Sequence, residues 1–178
     1  MEIEDDILPD RDFAIELMKK LKLPVSIRFH SLQVAKKALE IANNITKVKL
    51  DKNLIEMGAL LHDIGRTKTH GFKHALIGGK ILRERGFPGK LARICETHIL
   101  GGLDEEDAVK VGLPKKDYLP ISIEEKIVCL ADKYMTGRFE VSIEERFDKW
   151  FLKYGKTKIL LKAKERIEKI QQEIESLM

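Results

Sequence analysis

The chain has 178 residues, 43% of them hydrophobic and 35% charged, the profile of a soluble globular protein long enough to bury its own core. Its formal net charge of +4, from 33 basic and 29 acidic residues, favours phosphorylated substrates but is too small to argue for nucleic-acid binding. Its apolar runs are too short to span a bilayer, and the acidic start Met1-Glu2-Ile3-Glu4-Asp5-Asp6 does not resemble a signal peptide.

Nearly every segment carries helical periodicity, and none sustains the alternation of a strand. Asp10 is a good N-cap for a first helix bearing Phe13, Ile15, Leu17 and Met18 and ending near Leu23-Pro24. A second helix is predicted from about Arg28 to Ala42, where Leu32, Ala35, Ala38, Leu39 and Ala42 recur at three- and four-residue spacing. A third begins near Asp51, buries Leu54, Met57, Leu60 and Leu61, and stops at Gly65. Two shorter helices, about 72–85 and 88–99, are separated by Gly86-Phe87-Pro88, because proline cannot continue the preceding helix's hydrogen bonding. Gly101 to Pro120 reads as a long irregular loop, a candidate lid or binding loop. Ser122 with Glu125 three residues on has the capping-box pattern, and opens a helix with Ile127, Val128, Leu130 and Ala131.

The stretch Lys149 to Tyr154 is expected to pack C-terminal helices. Trp150 and Tyr154 form no aromatic–basic stripe there, so nucleic acid fits poorly as the main substrate. After Gly155, the residues Leu160, Ala163, Ile167, Ile170, Ile174 and Leu177 step as a heptad seam. Such a seam either packs back on the domain or serves as a homodimer contact. The two cysteines, Cys95 and Cys129, sit in apolar helical contexts without a CxxC pair, as reduced buried thiols of a cytoplasmic protein would.

The chemistry-bearing residues are histidines and aspartates. Burying an imidazole is costly unless something satisfies it, and a metal is one such partner. A single histidine in an apolar helix would more often be a hydrogen-bonded core residue. His62-Asp63, at the end of the apolar run Gly58-Ala59-Leu60-Leu61, is a weak signal alone. The wider set is more specific: His30, His62, Asp63 and Asp132 each lie on or at the end of an apolar helix, and His74 and His98 flank the two shorter helices. Imidazole nitrogen with carboxylate oxygen suits Mn, Fe, Co, Ni or Zn, and a carboxylate can bridge two cations, which makes Asp63 the natural bridge. His70 precedes Gly71 and is expected to be a loop residue near the site.

The phrases Ala59-Leu60-Leu61-His62-Asp63-Ile64-Gly65-Arg66 and Ile127-Val128-Cys129-Leu130-Ala131-Asp132-Lys133, preceded by His30, resemble the HD superfamily of metal-dependent phosphohydrolases over roughly residues 25 to 137. The resemblance implies an all-α, single-domain helical bundle. Residues 1–24 would be an N-terminal helix packing on it and 138–178 a C-terminal helical extension. It implies that His30, His62, Asp63 and Asp132 bind a first metal, and that His74 and His98 bind a second, with Asp63 bridging. The order of these six is similar to that of dinucleoside tetraphosphatases of the superfamily, and less like cyclic-dinucleotide phosphodiesterases, whose GYP signature is absent. The loop from Gly101 to Pro120 is longer than in the tetraphosphatase pattern and would border the active site.

On that resemblance the chain hydrolyses a phosphate ester or anhydride of a nucleotide or related small molecule by a metal-activated water. One or two divalent cations (Fe, Mn, Ni, Co, Zn or Mg, with iron or manganese preferred) would be its cofactors. Asp63 would then be catalytic, Arg66 would hold substrate phosphate through paired hydrogen bonds, and Lys133 would be a second phosphate contact. Two other readings share these residues: a di-iron oxygenase of the superfamily, and a non-catalytic metal-dependent nucleotide sensor.

Overall fold

Among the described residues, six helices begin on a side chain that accepts a hydrogen bond from the N–H three residues on: Asp10, Asp51, Asp104, Ser122, Ser142 and Thr157. The computed structural model describes residues 7–178; the acidic start at residues 1–6 lies outside them. In chain order the helices are α1 (Arg11–Lys20), α2 (Val25–Asn44), α3 (Lys52–Leu61), α4 (His74–Glu84), α5 (Gly89–Thr97), α6 (Glu105–Lys110), α7 (Ile123–Tyr134), α8 (Ile143–Tyr154) and α9 (Lys158–Ser176). The architecture is all-α, with one two-stranded hairpin, β1 (Met135–Thr136) and β2 (Phe139–Glu140). That hairpin escapes a sequence reading because two-residue strands have no periodicity to detect.

The core forms where α2 packs on α3 and α7, with α5 closing against α3. On α2 the small buried residues Ala35, Ala38 and Ala42 allow this close approach. α1 buries Ala14, Leu17 and Met18 and packs on α3. α2 starts at Val25, three residues earlier than the periodicity predicts, because Pro24, with φ at −51°, suits the position just outside a helix. His30 therefore sits in the second turn.

Gly101 to Pro120 is not the irregular loop its composition suggests. It contains α6 and an antiparallel bridge between Leu103 and Tyr118, and it docks on α9. The docking is ionic: the buried Asp107 meets Arg166 and Lys162, and Asp104 meets the same two cations. The capping box at Ser122 is only half formed. Ser122 accepts from the Glu125 N–H at 3.1 Å, but the Glu125 carboxylate turns inward to Arg93 and Thr97. A complete reciprocal box forms instead at Ser142 and Glu145.

The heptad seam of α9 is buried within its own chain: Leu160, Ala163, Ile167, Ile170 and Ile174 face the 3-10 turn after α5, α7 and α8. Those residues are therefore not available to a second copy. Among the described residues no helix is long and apolar enough to cross a membrane.

The α6–α9 clasp carries a pH signature. Burial pushes the Asp104 carboxyl up, but Lys162, the Asp107 N–H and Arg166 outweigh it and hold it at about 2, against an ordinary 3.8. A depressed carboxylate adds stability above its unfolded value and loses it as pH falls towards the folded one. Urea midpoints should thus fall between pH 4 and 2 more steeply for the native chain than for Asp104→Asn. Arg166→Met, which leaves Asp107 with Lys162 alone, should lower unfolding free energy at pH 7 by about 1–3 kcal/mol.

Candidate metal centre

α3 is buried from Leu54 onward except at Glu56 and delivers His62 as its C-terminal cap. The backbone then changes direction: Asp63 takes φ −100°, ψ 11°, and a 3-10 turn follows over Ile64–Thr67. Successive helical residues point about 100° apart, so this break is what lets His62 and Asp63 share one centre. Gly65 sits in that turn for a steric reason. A Cβ there would lie 1.9 Å from the His74 carbonyl oxygen and 2.7 Å from the Gly78 nitrogen. The missing side chain lets the turn press against the start of α4, which carries His74.

α5 ends on His98 as its cap, and Leu100 follows in a left-handed conformation at φ 53°, unusual for a non-glycine residue. α7 brings Asp132 in its last turn, and α2 brings His30. The six residues expected to act together are therefore brought together from five helices. Their ligand atoms form three overlapping groups, each within 4.8 Å: His30, His62 and Asp63; His62, His98 and Asp132; Asp63, His74 and His98. His70 is a loop residue as expected, lining the adjoining cavity outside these groups.

The hydrogen bonding of the imidazoles decides what these groups can hold. His62 Nδ1 donates to the Ala59 carbonyl (2.7 Å), His74 Nδ1 to Gly71 (2.8 Å), His98 Nδ1 to Cys95 (2.7 Å) and His30 Nδ1 to Gly137 in the hairpin turn (2.9 Å). A carbonyl only accepts, so the neutral rings carry their proton on Nδ1 and a bare lone pair on Nε2. Those lone pairs converge on acceptors. His74 and His98 Nε2 lie 3.2 Å apart, and Asp63 Oδ1 lies 3.0 and 3.4 Å from them. Asp132 Oδ1 lies 2.9 Å from His30 Nε2 and 3.4 Å from His62 Nε2. His62 Nε2 and Asp63 Oδ1 are buried and make no hydrogen bond. Acceptors facing acceptors in a buried place need a proton or a metal ion between them, and nitrogen with carboxylate oxygen is a suitable donor set for a divalent cation.

Charge states mark a competition for the same place. Burial would raise the carboxyls of Asp63 and Asp132, but His62 acts on Asp63, and Lys133 and the imidazoles act on Asp132, to keep both well below 3.8. Burial lowers His62, but Asp63 and Asp132 outweigh it and raise the ring above its ordinary value, so a proton on its Nε2 fills the position that a metal ion would take. Burial lowers His98 to about 4, with His62 and His74 adding to it and Asp63 opposing, so its ring is neutral at pH 7. Burial pushes both thiols up, Cys129 to about 11 and Cys95 further, as inert free cysteines.

Around the cluster the two cationic candidates differ. Arg66 Nε lies 3.0 Å from Asp63 Oδ1, and its Nη1 donates to the His70 carbonyl at 3.2 Å. Its guanidinium is partly exposed and lines the cavity. Lys133 is only 3% exposed, which a charged residue at a helix end does not suggest. Its ammonium donates to the His98 carbonyl (2.9 Å) and to Asp132 Oδ2 (2.5 Å), so it steadies two residues of the cluster. Arg146 of α8 was not foreseen. It donates to the carbonyls of Asp132 and Lys133 at 3.0 Å each, and to that of Met135, fastening the end of α7.

The cluster opens into a cavity of about 780 Å³ whose walls include Phe72, Ile99, Met135, Arg146, Trp150 and Tyr154. Residues 102–120 do not line it. The expectation that this segment borders the site is thus corrected: its ion pairs hold it on α9 instead. The stretch around Trp150 also does more than pack helices, since Phe147 is fully buried while Trp150 and Tyr154 reach the cavity.

An all-α bundle carrying clustered imidazoles and carboxylates defines a protein able to hold divalent cations. The profile of the HD domain matches residues 28–137, more than half of the chain, and the chain belongs to that family. An uncharacterized protein of Methanocaldococcus jannaschii is 41% identical over 167 residues, covering 93% of this chain and 96% of its own length. The tRNA (cytidine(56)-2′-O)-methyltransferases of Picrophilus torridus and Thermoplasma volcanium are 37% and 38% identical over 96% and 92% of this chain. The chain spans only about half the length of those two, 48% and 46%. In fold it is similar to the HD domain of the L. monocytogenes phosphodiesterase PgpH in complex with cyclic-di-AMP. The TM-score is 0.53 at 19% identity, covering 92% of this chain and 94% of that one.

Two measurements check the centre. Manganese at a hundredfold excess over its dissociation constant should add about 2.7 kcal/mol to unfolding stability. The gain should disappear with chelator and be much reduced in His62→Ala. Gly65→Ala should destabilise by about 1–3 kcal/mol through overpacking and weaken the manganese response, since the added methyl drives the turn off α4.

Proposed function

We propose that this chain is a metal-dependent phosphohydrolase that cleaves a phosphate ester or anhydride of a nucleotide or related small molecule. The observation that carries the reading is the convergence of four imidazole Nε2 atoms, each ring with its Nδ1 on a main-chain carbonyl, on the buried Asp63 and the half-buried Asp132 beside a cavity open to small molecules. His30, His62, Asp63 and Asp132 would hold one cation, and His74 and His98 a second, with Asp63 between them; iron or manganese suits this donor set best. Cations bound there would supply Lewis-acid stabilisation of phosphoryl oxygens and lower the pKa of a water.

The chain's own residues supply the rest. Arg66, partly exposed at the cavity, is the group that would grip a non-bridging phosphate oxygen, while its Nε holds Asp63. Lys133 is committed to Asp132 and the His98 carbonyl, so its part is to position the cluster, with phosphate contact limited to its remaining donor. The apolar walls of the cavity would exclude bulk water and strengthen these interactions. The six-residue order supports likeness to dinucleoside tetraphosphatases, and the shared fold with a domain crystallised with cyclic-di-AMP supports a nucleotide. The portion that the two tRNA methyltransferases share with this chain is the part to which this reading applies. Both cysteines are buried free thiols, in keeping with a cytoplasmic protein. The seam of α9 is buried in its own chain, so the reading needs no second copy.

Metal analysis of protein purified without chelator, followed by phosphate release across a nucleotide panel, tests the assignment. Bound iron or manganese with release of phosphate is expected, and Arg66→Ala should lower kcat/KM about tenfold to hundredfold with metal content intact. Oxygen consumption without phosphate release would move the assignment to a di-iron oxygenase. Tight nucleotide binding with no product at any metal composition would make the chain a sensor.

A further inference from the structure

The family profile ends at residue 137, yet the cavity beside the cluster does not end with it. α8 presents Arg146, Trp150 and Tyr154 to that cavity at successive four-residue steps, the spacing of one helix face. Trp150 is fixed on this face. The Arg146 guanidinium lies 5.3 Å from its ring centroid, and the fully buried Phe147 meets it edge-on at 5.1 Å. Arg146 is in turn bonded to the carbonyls of Asp132 and Lys133. The indole is thereby tied to the same helix end that carries a residue of the cluster. Tyr154, 57% exposed, extends the aromatic surface by one turn, and Thr157 adds a hydroxyl beyond it.

We propose that α8 is the base-recognition subsite of this chain: the planar ring of a nucleoside phosphate stacks on Trp150 and Tyr154 while its phosphate reaches Arg66 and the histidine–aspartate cluster. The phosphate end of this placement rests on the phosphohydrolase reading above. A pre-oriented indole and phenol offer a sequence-tolerant stacking surface, as aromatic side chains do wherever bases are held without hydrogen-bond readout. The cavity, about 780 Å³, lies within the range of small-molecule sites. An alkyl phosphate would meet Ile99 and Met135 but has no planar face to stack on the indole and phenol.

Trp150 is the single tryptophan of the chain, so its fluorescence reports the subsite without turnover. The full chain is titrated with adenosine and guanosine 5′-monophosphates, ribose 5-phosphate and octyl phosphate. Saturable quenching by both nucleotides, and by neither of the others at the same concentrations, is expected. An equal response to ribose 5-phosphate or octyl phosphate overturns the proposal. In turnover, Trp150→Ala should shrink the preference for adenosine 5′-monophosphate over ribose 5-phosphate, as a ratio of kcat/KM, by about tenfold or more. Trp150→Phe should restore most of it, and the exposed Tyr154→Ala should lower it without touching the packed ring of Phe147. A ratio unchanged in all three variants overturns the subsite even if both compounds are hydrolysed. Nucleotide quenching without hydrolysis of any phosphate supports the subsite and removes the hydrolase reading alone.

Discussion

Four imidazoles whose Nδ1 atoms are engaged by main-chain carbonyls turn their Nε2 atoms towards two carboxylates, in a place where His62 is fully buried and Asp63, His74 and His98 nearly so. Each buried polar atom left unpaired there costs on the order of 1–3 kcal/mol. A positive charge between the acceptors, carried by a proton or a metal ion, converts that cost into attraction. Helix geometry points the same way. α3 and α5 end on His62 and His98, and α7 ends two residues beyond Asp132. Three carbonyl-rich termini thus approach one centre and add negative potential to it.

Much of the remaining structure keeps those ends in register. Glu125 joins α7 to α5 through Arg93 and Thr97, so the helix bearing Asp132 and the helix bearing His98 cannot slide independently. Lys133 ties the same two helices at their ends, from Asp132 to the His98 carbonyl. Arg146 fastens α8 to the end of α7, which couples the C-terminal extension to the cluster even though the family profile stops short of it. The Gly101–Pro120 segment, a lid on its composition, is held away from the cavity by Asp104 and Asp107 on α9. Its partners Lys162 and Arg166 lie about one turn apart on α9, but no pattern within the segment announces them.

The fold was legible in the sequence to a large extent because helices declare themselves locally. Alternating three- and four-residue steps in α2 and α9, and capping residues at Asp10, Asp51 and Ser122, depend only on near neighbours. Departures occur where a distant partner intervenes. Glu125 abandons its capping box because Arg93 offers a buried charge, and Lys133 leaves the surface because Asp132 and the His98 carbonyl hold it. Trp150 and Tyr154 showed the spacing of a helix face, but spacing alone cannot say that a cavity lies beyond it.

By itself the sequence determined the all-α class, the heptad seam and the six residues that converge, because residue type, local periodicity and the order of His30, His62-Asp63, His74, His98 and Asp132 are all readable along one dimension. Only the tertiary structure decided which imidazole nitrogen faces the centre, that the α9 seam closes on its own chain, and that α8 rather than the Gly101–Pro120 segment walls the cavity. Those outcomes depend on which carbonyl, carboxylate or helix face arrives from tens of residues away, and packing settles that where composition cannot.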